Sequence, residues 1–139
     1  MSITSPNANL VRPTLDAERY VHASPAAINA TATATVGEVL SGYITSTSGA
    51  ATTITLPTGT LLGAALNAVR GTVFDLYIDN TAGANTVTIA VAVNGILSTA
   101  AADTAGSFGD LTVASGVTGI GCFRLMFSSP TAYVFTRTA

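Results

Sequence analysis

Lysine and tryptophan are absent from this chain of 139 residues, and cysteine and histidine occur once each, as Cys122 and His22. Charged residues make up 9% of it, where ordinary soluble domains carry roughly a quarter. Each shortage removes a class of function. Five arginines and a net charge of -2 leave no basic stripe to neutralise a phosphate backbone, so direct nucleic-acid binding is not expected. One cysteine cannot close an internal disulfide, and with one histidine it is too small a donor set for zinc. Cys122 falls in a strand pattern, where a small buried thiol is the expected role. A hydrolytic triad needs a nucleophile, a base and an orienting group, and His22 sits in a proline-bounded stretch. No G-x-S-x-G elbow occurs, and Gly119-Ile120-Gly121-Cys122-Phe123-Arg124 has only the first two glycines of a dinucleotide fingerprint. No enzyme and no cofactor are expected. The longest wholly apolar run, Ile89 to Val93, is far short of the roughly 20 residues that span a bilayer. Met1-Ser2-Ile3-Thr4-Ser5-Pro6-Asn7 has neither the basic nor the apolar region of a signal peptide, so synthesis and use from the cytoplasm are expected.

What fills the chain instead is alanine, threonine, glycine and serine. At outward strand positions they make a small, uncharged surface that favours close contact between subunits. The alternative is a monomer kept soluble by threonine hydroxyls. The length suits one core that needs no disulfide. Residues 1–25 contain Pro6, Pro13 and Pro25 and no sustained periodicity, so they read as an extended arm, with 26–139 as the domain. Leu10, Val11, Leu15, Tyr20 and Val21 would be wasted in solvent, and Arg12, Asp16, Glu18 and Arg19 concentrate charge beside them. The arm therefore docks on a partner or packs on its own domain.

The domain is organised around residues 54–93. Thr52, Ile54 and Leu56 alternate with threonines as a half-buried strand that Pro57 ends. Leu62, Leu66 and Val69 then fall on one face of a short helix over Thr60 to Arg70, with Gly71 placed to close it. Phe74, Leu76 and Ile78 point one way while Val73, Asp75, Tyr77 and Asp79 point the other. Turn residues from Asn80 to Asn85 lead into Val87, Ile89 and Val91, which reads as a hairpin.

Elsewhere, residues 28–34 alternate as a strand, and Thr35-Val36-Gly37-Glu38 has capping-box spacing for a helical turn through Leu40. Tyr43 to Thr47 is the next strand. Asn94-Gly95 signals a type I′ hairpin, and residues 98–110 form a long loop with Phe108 as its anchor. Leu111 to Ala114 is an edge strand. Ile120 to Phe127 places Phe123, Leu125 and Phe127 on one face and Cys122, Arg124 and Met126 on the other, and Ala132 to Thr138 is the last strand. About eight strands with one or two short helices predict an all-β domain, a β-sandwich or jelly roll.

Asp75 and Asp79 flank Tyr77 on one face, which suits a calcium site, a sugar-binding patch, a salt bridge to an arginine across subunits, or a charged edge that discourages strand pairing. Asp103 and Asp110 read as hydrophilic spacing in the long loop.

The run Thr53-Ile54-Thr55-Leu56-Pro57-Thr58-Gly59, the Leu- and Ala-rich helix, Gly71-Thr72-Val73-Phe74-Asp75-Leu76-Tyr77-Ile78-Asp79-Asn80-Thr81 and Thr86-Val87-Thr88-Ile89 together resemble the small capsid decoration, or cement, proteins of tailed bacteriophages. The likeness spans Thr35 to Ala139 and rests on strand and turn pattern, not on a catalytic signature. It implies a subunit that trimerises on the capsid exterior, with the arm reaching across boundaries between major capsid proteins. On that resemblance, Leu10, Val11, Arg12, Leu15, Arg19 and Tyr20 are the expected capsid contacts, and Asp75, Tyr77 and Arg124 the expected trimer seam. The alternative is a trimeric fibre head that recognises a host glycan through Tyr43, Tyr77 and Tyr133, although it lacks tryptophan, the residue best suited to a sugar platform.

Overall fold

The computed structural model describes residues 24–47, 49–97 and 111–139. Ten strands and two short helices occur among them: β1 (Ala26–Ala27), β2 (Ala32–Thr33), α1 (Val36–Leu40), β3 (Tyr43–Thr45), β4 (Thr52–Leu56), α2 (Gly59–Ala65), β5 (Val73–Asp79), β6 (Val87–Val91), β7 (Gly95–Leu97), β8 (Thr112–Val113), β9 (Ile120–Ser129) and β10 (Ala132–Arg137). The capping box forms as read: the Thr35 amide donates to Glu38 Oε2 at 2.7 Å and the Glu38 amide to Thr35 Oγ1 at 3.2 Å. α2 is shorter than its pattern, because Asn67 turns left-handed at φ 48° and ends it well before Gly71. Leu62 is buried, but Val69 falls beyond the helix and is exposed.

The strands form two sheets, one ordered β1-β3-β5-β9-β10-β7 and the other β2-β4-β6-β8. From β1 to β6 the chain therefore alternates between sheets, and each strand lies parallel to the preceding strand of its own sheet. Ile44 is paired with Ile78 in one sheet and Ile54 with Ile89 in the other, all four fully buried. Among the described residues five of the eight strand pairings are parallel, whereas jelly rolls are antiparallel.

Two expected hairpins become corners between sheets. β5 pairs with β3 and β9, and β6 with β4 and β8, so the Asn80–Asn85 turn joins strands that are not neighbours. Asn80 is wholly buried there, and its Nδ2 donates to the carbonyls of Asn85, Val113 and Ala114 at 2.8, 3.1 and 3.2 Å. At the second turn Asn94 has φ 63° as read, but β7 runs parallel to β10. Gly95 is needed for space, since a Cβ there would meet the Tyr133 hydroxyl at 2.7 Å. Of the expected strand over 28–34 only β2 (Ala32–Thr33) forms, and the residues before it make a corner from β1, which lies in the other sheet. There the Asn29 and Thr31 side chains accept from the amides of Thr47 and Thr53, standing in for backbone partners.

One apolar core lies under both sheets. Leu76, Ile78, Val87 and Ile89 are fully buried, Phe74 packs against them partly buried, and Phe123 stacks on Phe135 with centroids 5.1 Å apart. α2 sits so close to the β9–β10 turn that a Cβ on Gly63 would stand 1.8 Å from the Pro130 carbonyl oxygen, whereas one on Gly37 in α1 would meet nothing within 4 Å. Gly63→Ala is thus expected to lower stability by ~1–3 kcal/mol through overpacking, and Gly37→Ala to raise it by ~0.5–1 kcal/mol through lost chain entropy. Urea unfolding midpoints of the two variants check both signs.

Candidate functional site

β5 lies between β3 and β9, so it is an interior strand of the larger sheet and not an edge; the reading of Asp75 and Asp79 as an edge guard is corrected. Its period-two pattern buries Leu76 and Ile78 and turns Val73, Asp75, Tyr77 and Asp79 outward. β9 answers in register with Met126, Arg124, Cys122 and Ile120. The structure thus brings the three expected seam residues onto one outer sheet face. Asp75 and Arg124 are cross-strand partners within the chain: Arg124 Nε reaches Asp75 Oδ1 at 2.7 Å, and its terminal nitrogen reaches Oδ2 at 2.9 Å. This two-point pairing holds the Asp75 carboxyl below its ordinary range and the guanidinium above its own. Both side chains keep contact with solvent, so the pair is screened.

Tyr77 lies between Tyr43 on β3 and Cys122 on β9. Tyr43 donates its hydroxyl to Asp79 Oδ2 at 2.5 Å, while the Thr81 hydroxyl and amide both donate to Asp79 Oδ1. The Thr81 hydroxyl, followed by Tyr43, pulls the Asp79 carboxyl below its usual range, and the same carboxylate pushes the Tyr43 phenol up. Cys122 faces outward and is half-buried, which corrects its expected place in the core. Tyr133 leaves the glycan list. It is fully buried, its hydroxyl donates to the Pro57 carbonyl at 3.0 Å, and desolvation raises its pKa strongly.

The six arm residues Leu10, Val11, Arg12, Leu15, Arg19 and Tyr20 lie outside the described residues, as do His22, Phe108, Asp103 and Asp110. Val73, Ile120 and Met126 were absent from the expected site, yet each is an exposed apolar side chain on this same face. The signal was present in the alternation, because an apolar residue at an outward strand position marks a surface kept for contact. Among the described residues no group of three His, Cys, Asp or Glu is placed to hold a metal ion, and no helix is long and apolar enough to cross a membrane.

Comparisons with protein-family models, with curated proteins and with solved structures find no match for this chain.

Both Asp75 and Asp79 titrate below the ordinary value of 3.8. Their contribution is complete above the unfolded pKa and is lost as pH falls through the lower folded one. The urea midpoint is expected to fall between pH 5 and pH 2 (~3 pH units around the ordinary carboxylate range). Asp75→Asn/Asp79→Asn is expected to flatten that fall, and an equal slope in the double variant would remove these carboxyls as its source.

Proposed function

We propose that this chain is a structural virion protein that decorates and stabilises a phage capsid, binding as a trimer across boundaries between major capsid proteins. The observation that carries the reading is an outer sheet face on which exposed apolar side chains surround an acid–base pair already closed within the chain. Such a face suits burial against protein more than chemistry on a small substrate. The sequence resemblance supports the same task, and the two sheets over one core fit the two layers of a β-sandwich.

A cement protein binds only the assembled lattice and so stabilises it by mass action. Apolar burial contributes about 25 cal/mol per Å², so a modest footprint repeated over many sites resists opening of the shell, after the costs of association are met. The charge-poor body lowers the desolvation that such burial entails. In this reading the protein is made in the host cytoplasm, acts on the capsid exterior, requires no cofactor, catalyses no reaction, and contacts neither nucleic acid nor membrane directly. Leu10, Val11, Arg12, Leu15, Arg19 and Tyr20 contact the capsid, and Asp75, Tyr77 and Arg124 lie at the trimer seam.

The second reading, a trimeric fibre head that binds host glycan, keeps Tyr43 and Tyr77, which sit side by side in register, and loses the buried Tyr133.

Cosedimentation with purified capsid shells tests the proposal. The full chain is expected to pellet with shells, and removal of residues 1–25, or Arg19→Ala with Tyr20→Ala in the full chain, to weaken binding by about tenfold or more. Unchanged affinity in both would defeat the role of the arm. Binding to host cells or glycan with none to shells would favour the fibre-head reading.

A further inference from the structure

Eight large apolar side chains are exposed among the described residues, and four of them, Val73, Tyr77, Ile120 and Met126, lie on the outer face of the β5–β9 pair. Val73 and Met126 are register partners at one end of the pair, and Ile120 stands at the other end. The charged residues of the face are engaged within the chain, with one net negative charge left at Asp79. Asp75 and Arg124 neutralise each other within the chain, and Asp79 is held by Tyr43 and Thr81.

We infer that this face binds a second copy of the same chain, and that the contact is apolar, made by Val73, Tyr77, Ile120 and Met126 packed around the internally closed Asp75–Arg124 pair. The inference rests on the homo-oligomeric part of the reading above, not on its capsid part, and it changes the chemistry of the seam. A seam held by Asp75 and Arg124 across subunits would need that pair opened, and two strong charge-assisted hydrogen bonds within one chain oppose that.

The occupant follows from charge and size. The chain carries a net charge of only -2 over 139 residues, so identical copies meet with little net repulsion. An acidic or basic partner finds no field to follow on such a body. The strand residues of β3, β5, β9 and β10, at about 3.3 Å along and about 4.8 Å across each, give this side of the sheet a flat projection of roughly 400 Å². Side-chain relief adds to that projection, and a stable interface buries about 800 Å² per partner. The face thus supplies about half of one contact between copies before side-chain relief is added.

Sedimentation velocity on the full chain over a range of concentrations tests this, with Cys122 as a built-in probe, because the only thiol of the chain lies on this same face as the cross-strand partner of Tyr77. The wild-type chain is expected to sediment as more than one copy. Val73→Asp and Met126→Asp are expected to shift its dissociation to roughly tenfold higher concentration or beyond, and to speed maleimide labelling of Cys122. Val117→Asp, at a residue 99% exposed and off this sheet, is expected to leave both readouts unchanged. Unfolding midpoints close to wild type show that each variant is folded, and a variant that fails this check is replaced by Val73→Thr and Met126→Thr, which remove apolar area without adding charge. A wild-type chain that stays single at every concentration would overturn the inference, as would folded face variants that keep the wild-type mass and labelling rate. No shell enters these measurements, so failure of capsid binding alone moves neither the mass nor the labelling rate.

Discussion

Strand β5 is the constraint on which the rest depends. It is paired along its whole length with antiparallel β9 and, from Tyr77 to Asp79, with parallel β3. Its inward side chains Leu76 and Ile78 are sealed in a core shared with Val87 and Ile89 from the other sheet. With β9 along one side, β3 along part of the other and one face buried, the alternate side chains Val73, Asp75, Tyr77 and Asp79 are turned outward. A one-residue slip would exchange Asp75 and Tyr77 for Leu76 and Ile78, which ties the outer surface to the inner one.

The corners of the fold are as informative as its strands. Asn80 spends its amide on three carbonyls and thereby anchors the end of β5 to the end of β8. Arg137 acts similarly near the chain end, donating to the carbonyl of Thr112 at 2.6 Å while its guanidinium lies over the Phe123 ring. In a chain with so few charges, Asn80 and Arg137 close backbone gaps at the corners, and the outer face of β5 and β9 keeps exposed apolar side chains around Asp75, Asp79 and Arg124. A contact on this face gains from apolar burial, and Asp75, Arg124 and Asp79 enter it already hydrogen-bonded within the chain.

Much of this was legible in the order of residues. The faces of β5 and β9, the capping box of α1 and the end of β4 at Pro57 all follow from local steric and hydrogen-bonding rules that act within a few residues. Asp75, Tyr77 and Arg124 were legible as outward residues, but not the closure of Asp75 on Arg124, because the two are 49 positions apart. Cys122 and Tyr133 were misjudged for related reasons. Cys122 follows the outward parity of β9 in spite of its apolar character, and Tyr133 is drawn inward by the Pro57 carbonyl, 76 positions away.

The sequence by itself determined which side of each strand is apolar and where the chain turns, since both are set by neighbouring side chains and backbone torsions. Only the tertiary structure decided which strand lies beside which. Asparagine and glycine serve a hairpin and a corner between sheets equally well, and the parallel stacking of Ile44 on Ile78 and Ile54 on Ile89 is won by burial over long separations that no local pattern records.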